Sequence, residues 1–160
     1  MSKISALQKA RYDYSAKLPP VFLESGPFVE VKPGVATESV SDQEAIKSLF
    51  PDTYGLPVVE FAAGKVSKKE KIKAGVILSG GQAPGGHNVI AGLYDALKKL
   101  NPENELLGFL AGPSGLLENQ FIVLTDEIID EYRNTGGFDM ICSGRTKLET
   151  PEQFAKVAEN

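Results

Sequence analysis

The feature that most constrains the fold is a segment in which an apolar strand pattern runs through a glycine-rich loop into a helix. Residues 76–78 are apolar enough for a buried strand, and residues 79–88 read Ser-Gly-Gly-Gln-Ala-Pro-Gly-Gly-His-Asn. Apolar residues then recur with helical spacing, which predicts a helix over 88–100. Glycines let backbone N–H groups approach an anion closely, and a helix start adds partial positive charge. The segment therefore predicts a phosphate-binding loop.

The order of the glycines narrows the kind of loop. It does not give the dinucleotide pattern G-x-G-x-x-G, and no Lys-Ser or Lys-Thr pair follows as in a P-loop. A glycine turn that merely lets the strand pack closely on the helix is the alternative explanation. Four glycines exceed what a turn needs, and Pro84 stiffens the loop. Asn88 can cap the helix and leave its first-turn N–H groups facing a ligand, so we favour an anion site.

The second half of the chain alternates strand and helix patterns. We predict strands over 73–79, 105–110, 121–124 and 139–142. This alternation predicts an α/β fold with a Rossmann-like parallel sheet and flanking helices, incomplete in this chain. We assign residues 71–160 to the first part of that domain. Residues 1–70 are interpreted as a mostly irregular or helical N-terminal extension.

Composition excludes several classes of function. The formal net charge of −4 and the pI of about 5.1 argue against a nucleic-acid binder, which normally carries a basic excess. The apolar runs are far shorter than the roughly 18 residues that span a bilayer, so we expect no membrane partner. Cys142 is the only cysteine, so no intrachain disulfide can form. A single thiol without a visible targeting segment favours a cytoplasmic protein.

Two motifs together resemble the phosphofructokinase family. Residues 79–88 resemble its first phosphate loop, which ATP-dependent members carry as Gly-Gly-Asp-Ala-Pro-Gly-Met-Asn. Residues 136–147 match a Gly-Gly-Phe-Asp-x-Ile-x-Ser-Gly-Arg-Thr-Lys segment of the same family. Gln82, His87 and the Ser-Gly-Arg-Thr sequence, which replaces Ser-Ala-Arg-Phe, resemble the pyrophosphate-dependent enzymes of the long-subunit type. The resemblance covers essentially the whole chain, as the N-terminal portion of such an enzyme.

The resemblance implies roles for the matched residues. The backbone N–H of Gly81 corresponds to the group that contacts the transferred phosphoryl, and Gly80 would help to shape that diphosphate contact. Arg145 corresponds to an arginine that faces the same phosphates and contacts the phosphoryl group in the transition state. A guanidinium suits this role because it presents fixed donors to phosphoryl oxygens as charge spreads over them.

His87 and Asn88 are assigned to support of the loop. His87 is the only histidine of the chain. A helix N-terminus would depress its pKa, so a neutral imidazole could donate a hydrogen bond there. We favour a packing or capping role, because the positioned partner that catalysis requires is not visible in the sequence. Lys147 we interpret as a solvated surface lysine.

The family further implies a reaction for the parent protein. It would transfer a phosphoryl group from pyrophosphate to fructose 6-phosphate in glycolysis and gluconeogenesis, with Mg²⁺ and as a homo-oligomer. The metal loop and the catalytic base of the family have no match here, so we predict no metal ligand in this chain. The residues from Thr150 to Gln153 begin a helix close to the last residue. We therefore expect a chain that is cut short and inactive alone.

Three alternatives to this function stay open at the level of sequence. The chain could be a non-catalytic phosphate-binding or regulatory module that assembles with a catalytic partner. It could belong to an ATP-dependent 6-phosphofructokinase, because the residue that selects the donor in the family lies outside the matched motifs. A generic nucleotide-binding domain is the weakest, since no acidic residue stands at the spacing expected for an adenine ribose.

Overall fold

The structure is a computed structural model that describes residues 4–67 and 70–160. The predicted extension therefore includes two stretches, residues 1–3 and 68–69, that lie outside the described residues. In chain order the elements are α1 (Ala6–Asp13), α2 (Pro20–Ser25), β1 (Val29–Ala36), α3 (Gln43–Leu49), β2 (Pro57–Ala63), β3 (Lys73–Val76), α4 (Gly86–Leu100), β4 (Glu105–Phe109), α5 (Pro113–Leu117), β5 (Phe121–Val123), α6 (Asp126–Tyr132) and α7 (Pro151–Glu159). They fall into two compact units, one over residues 18–67 and the other over the described residues on either side of it.

The unit over residues 18–67 is built around an antiparallel pair of strands. Val29 of β1 pairs with Ala63 of β2, and Ala36 pairs with Pro57 at the other end. A proline is tolerated as the first residue of a strand, where its missing N–H breaks no interior ladder bond. This segment, which the sequence predicted to be mostly irregular or helical, therefore contains an antiparallel pair of strands.

The second unit contains a three-stranded sheet in the order β3-β4-β5. Strands β3 and β4 are parallel, with Lys73 opposite Glu105 and Val76 opposite Gly108, and α4 is the crossover between them. The predicted α/β class, a Rossmann-like sheet with flanking helices, is confirmed. The sheet brings the loop after β3 and the loop after β4 to the same edge.

Strand β5 runs antiparallel to β4, although the alternation of patterns predicted a parallel strand. Only residues 110–120 join the two, and they hold α5, a helix of 5 residues. A crossover to a parallel neighbour needs roughly a dozen residues or more. The chain turns back instead, and Gln120 N–H donates to the carbonyl oxygen of Gly115 at 2.8 Å.

The strand predicted over 139–142 is wrong. Residues 138–141 form turns, and Cys142 has a φ of 56°, in the left-handed region that ends an extended run. Ile141 is nevertheless fully buried, and its carbonyl oxygen accepts from Ala111 N–H at 2.8 Å. The apolar run thus packs into the core as a turn. What remains of the predicted pairing is one parallel bridge between Ser79 and Gly144.

The core of this unit lies between the sheet and helices α4 and α6. Its buried hydrophobic cluster comprises Ile90, Ala91, Tyr94, Leu97, Leu106, Leu124, Ile129, Met140 and Ile141. Burial raises the pKa of Tyr94 to about 12, and its hydroxyl donates to Asp126 Oδ1 at 2.9 Å. This bond links α4 to the start of α6, so the helix that follows the glycine loop is firmly seated. No helix in the described parts of the chain is long and apolar enough to cross a bilayer.

Candidate phosphate-binding site

The glycine loop is hydrogen-bonded to the second motif where it leaves the sheet. Gly80 N–H donates to the carbonyl oxygen of Gly144 at 2.9 Å, and Gly144 N–H donates to that of Leu78 at 3.3 Å. Together with the Ser79–Gly144 bridge, these bonds hold the two loops side by side at the carboxyl end of β3. The carboxyl ends of the strands are where ligands bind in open α/β sheets.

Gly81 and Arg145 are brought into contact by this arrangement. A Cβ atom built on Gly81 would lie 2.8 Å from Nη2 of Arg145, so the guanidinium rests against the Gly81 backbone. Both residues are exposed, and within residues 4–67 and 70–160 the N–H of Gly81 has no hydrogen-bond acceptor. A backbone donor and a cation therefore face solvent next to each other, which is an arrangement that binds a phosphate oxygen.

Gly80 has a different part in the loop. Its φ of 101° lies where residues with side chains are strained, and its N–H is already engaged by Gly144. In this geometry the Gly80 N–H is not available to a ligand, and the shaping role of Gly80 stays a prediction from the resemblance. The shape that it imposes turns the chain so that Gly81 follows with its N–H unpaired.

Part of the start of helix α4 is engaged by the second motif and not open to a ligand. The helix begins at Gly86, and the N–H groups of Gly85 and His87 donate to the carbonyl oxygens of Gly136 and Gly137, at 2.8 and 3.0 Å. The ring of Phe138 packs against Gly86 so closely that no side chain would fit there. Residues 136–138 thus engage two of the amides at the helix N-terminus, those of Gly85 and His87.

Asn88 does not cap helix α4. The capping position is taken by Gly85, which has a φ of 99° and makes no side-chain cap bond. Asn88 is the third helical residue and lines an open cavity of about 780 Å³ with residues of α1, Asn134 and Thr135. Neither Gly81 nor Arg145 lines that cavity. The structure therefore brings together Gly80, Gly81 and Arg145 and leaves Asn88 apart from them.

His87 is a buried residue with two hydrogen-bond partners that the sequence did not reveal. Its side chain is 1% exposed, and its Nε2 accepts the N–H of Met140 at 2.9 Å. Its Nδ1 is hydrogen-bonded to Oγ1 of Thr135, whose hydroxyl donates to the carbonyl oxygen of Tyr132. Thr135 stands directly before the Gly-Gly pair of the second motif, but nothing in its local pattern marks it as a partner of a residue 48 positions away.

Burial lowers the pKa of His87 below its ordinary value, and the nearby Asp139 carboxylate opposes that shift only in part. The unfolded chain therefore takes up a proton as the pH falls through about 6.5, before the folded chain does. We expect the free energy of unfolding of the 160-residue chain to be fully present above that pH. Below it, the free energy should fall by at most about 1.4 kcal/mol per pH unit.

Urea denaturation between pH 5 and pH 8 measures this dependence. Since His87 is the only histidine, the His87→Gln variant should show a flatter profile over the same range. Equal slopes in the two proteins would contradict the assignment of the titration to His87.

Comparisons with known proteins agree with the two motifs. The chain is 58% identical over 151 residues to a pyrophosphate–fructose 6-phosphate 1-phosphotransferase of Porphyromonas gingivalis, covering 94% of this chain and 27% of that protein. The protein of the same name from Entamoeba histolytica is 48% identical over 153 residues, 95% of this chain and 28% of the relative. The beta subunit of the enzyme of the same name from Solanum tuberosum is 46% identical over 158 residues. The match covers 97% of this chain and 27% of that protein. The predicted family resemblance is confirmed.

The similarity to pyrophosphate-dependent phosphofructokinases extends over nearly all of this chain but only part of theirs. The chain spans a little over a quarter of the length of these curated relatives. No protein-family model matches it. Within the described residues, no group of three or more His, Cys, Asp and Glu side chains is placed to hold a metal ion.

Proposed function

We propose that this chain provides the pyrophosphate-binding part of an enzyme that phosphorylates fructose 6-phosphate to fructose 1,6-bisphosphate, with pyrophosphate as donor. The observation that carries the proposal is the contact of the Arg145 guanidinium with Gly81. The N–H of Gly81 has no hydrogen-bond acceptor among the described residues. The relatives' names supply the donor and the acceptor. Such an enzyme acts in glycolysis and gluconeogenesis.

The two groups stabilise different features of the transferred phosphoryl. The Gly81 N–H donates one directed hydrogen bond to an oxygen of the group. The Arg145 guanidinium offers a planar set of charged donors, which neutralises the negative charge that spreads over the equatorial oxygens in the transition state. Because the loop is held by hydrogen bonds before the ligand arrives, little reorganisation is needed when charge develops.

The described residues do not supply every group that this reaction needs. We propose that Mg²⁺ is required to neutralise the phosphates, although the described residues supply no ligand cluster for it. The base that activates the sugar hydroxyl is expected in the part of the relatives that this chain does not span. The single cysteine supports a cytoplasmic location, and the subunit names of plant relatives support an oligomer.

A chimera tests this function. The 160 residues would replace the matching segment of the Porphyromonas gingivalis relative, which is 58% identical there. We expect the purified chimera to form fructose 1,6-bisphosphate with pyrophosphate at a rate within about tenfold of the unmodified relative, and to use ATP poorly. A folded chimera that binds pyrophosphate without turnover would instead indicate a non-catalytic module. Preference for ATP would assign the chain to the ATP-dependent enzymes.

A further inference from the structure

The imidazole of His87 is held in one tautomer by its surroundings. Nε2 receives the N–H of Met140 at 2.9 Å and lies 3.2 Å from Oδ1 of the exposed Asp139 carboxylate. A backbone N–H can only donate, so the shorter of the two contacts requires a lone pair on Nε2. The ring proton is therefore on Nδ1 and points to Thr135 Oγ1, whose own hydroxyl donates to the carbonyl oxygen of Tyr132 at 2.6 Å. The ring of Tyr132 packs edge-on at a centroid distance of 4.8 Å. Every polar atom of this small network has a partner.

The two partners of the ring lie at the two ends of one segment. Thr135 precedes the stretch over residues 136–139 that covers the start of α4, and Met140 follows it. Between them, the main chain of His87 also donates to the carbonyl oxygen of Gly137 at 3.0 Å. The ring leaves no space at Gly137, where an added Cβ would lie 2.8 Å from Cε1. His87 is thus a clip that fixes the covering segment against the glycine loop.

The clip is connected to Arg145 by a short and well-anchored path. Met140 is buried, and the carbonyl oxygen of Ile141 accepts from Ala111 N–H at 2.8 Å. Gly144 is bonded on both sides to the loop after β3. Only Cys142 and Ser143 lie between these anchors, so the bond from His87 to Met140 and the bonds at Ile141 and Gly144 together restrict the turn that leads to Arg145.

We propose that His87, as a neutral Nδ1–H imidazole, is a positioning residue of the phosphate site that fixes the Arg145 guanidinium against Gly81. This role rests on the proposed function, because it concerns the same pyrophosphate contacts. His87 itself touches neither pyrophosphate nor fructose 6-phosphate. It acts through Met140 and the turn that follows, on the placement of a cation that must match the transferred phosphoryl group closely.

The test uses the chimera with Porphyromonas gingivalis and three substitutions. His87→Phe keeps the ring but leaves the Met140 N–H unsatisfied, and we expect kcat/KM for pyrophosphate to fall between about tenfold and 100-fold, mainly through kcat. His87→Gln can offer an oxygen to Met140 and should recover a substantial part of that loss. Thr135→Val, a milder change that keeps the shape of the side chain, should cost about threefold to tenfold. The KM for fructose 6-phosphate should stay within about twofold in all three, since a positioned cation acts on the transition state.

Tyr94→Phe is the matched control for a merely structural effect. It removes a partly buried hydrogen bond from the same helix, to Asp126, which involves none of residues 135–145. We expect it to lower the melting temperature as Thr135→Val does, while kcat/KM for pyrophosphate stays within about twofold of the unsubstituted chimera. If His87→Phe and Thr135→Val keep the kcat/KM of the unsubstituted chimera, or if Tyr94→Phe loses as much as they do, the positioning role is overturned.

A spectroscopic readout separates this proposal from the proposed function. The 160-residue chain has a single histidine, so its ¹⁵N imidazole shifts report one tautomer at neutral pH. The Nδ1–H form supports the clip, and an Nε2–H form or a mixture overturns it. A chimera that does not use pyrophosphate would contradict the proposed function, and the ¹⁵N shifts would still decide whether the clip exists.

Discussion

Replacing Gly81 by valine in the chimera is expected to lower kcat/KM for pyrophosphate on the order of 100-fold or more, by analogy with the loss of one oxyanion-hole donor. A side chain at this position would meet Nη2 of Arg145 at 2.8 Å already at its Cβ atom. The valine methyl groups would also cover the space in front of the Gly81 N–H. The variant therefore displaces the guanidinium and blocks the approach of the phosphate together. Steady-state kinetics with pyrophosphate as the varied substrate measures the effect.

Gly92→Ala is the matched control for the glycine substitution. Gly92 lies on the exposed side of α4, and an added Cβ would meet nothing within 4 Å. Since alanine favours a helix over glycine by about 1 kcal/mol, the control should be neutral or slightly more stable. Turnover by Gly81→Val that equals turnover by Gly92→Ala would remove Gly81 from the site.

Replacing Arg145 by lysine is expected to lower kcat for the pyrophosphate-dependent reaction by about 100- to 1,000-fold, less than the roughly 1,000- to 100,000-fold that an arginine can contribute to phosphoryl transfer, because the charge is kept. Lysine keeps the charge but loses the planar fork of donors, and its ammonium is more strongly hydrated. Arg145→Lys therefore tests geometry rather than charge. An initial-rate assay at saturating fructose 6-phosphate gives the comparison.

Lys147→Gln is the control for the loss of a cation near the loop. The Lys147 side chain is 79% exposed and lies 3.7 Å from Glu149, which is the geometry of a weak surface ion pair. We expect its removal to change kcat by less than about twofold, because exposed pairs contribute little. A loss as large as that of Arg145→Lys would indicate a general electrostatic effect in place of a specific contact.

The parts of the fold that the sequence predicted are those set by local chemistry. The strand, glycine loop and helix from β3 to α4 follow from apolar spacing and from glycines. Helix α7 begins at Pro151 with the predicted capping box, in which Thr150 and Gln153 satisfy each other's backbone N–H groups. Thr125 likewise caps α6 by accepting the N–H of Ile128.

The parts that the sequence did not predict depend on contacts between distant segments. The direction of β5 depends on how residues 110–120 turn back. Whether Ile141 lies in a strand or in a turn depends on a hydrogen bond to Ala111. The amides at the start of α4 looked free for a ligand because their partners, Gly136 and Gly137, lie about 50 residues along the chain. An apolar run or a glycine pair gives no sign of which distant carbonyl will accept its N–H.

In the candidate site, too, the sequence predicted the residues but not the contacts between distant segments. Gly80, Gly81 and Arg145 were assigned by resemblance to a family, and their contact requires the bonds between Gly144 and the loop after β3. The network of His87 could not be inferred, because Thr135 and Met140 have no pattern that pairs them with an imidazole. The sequence thus pointed to a phosphate site, and the long-range hydrogen bonds explain how it is held together.

A double-mutant cycle at Gly81 and Arg145 tests most directly whether the two residues bind the same phosphoryl group. The chimera would carry Gly81→Ala, Arg145→Ala or both, with kcat/KM for pyrophosphate measured in each. If the alanine Cβ acts by displacing the guanidinium that it meets at 2.8 Å, the double variant should lose about as much as Arg145→Ala alone, because residues that act as a unit are not additive. Losses that multiply in the double variant would contradict a shared site.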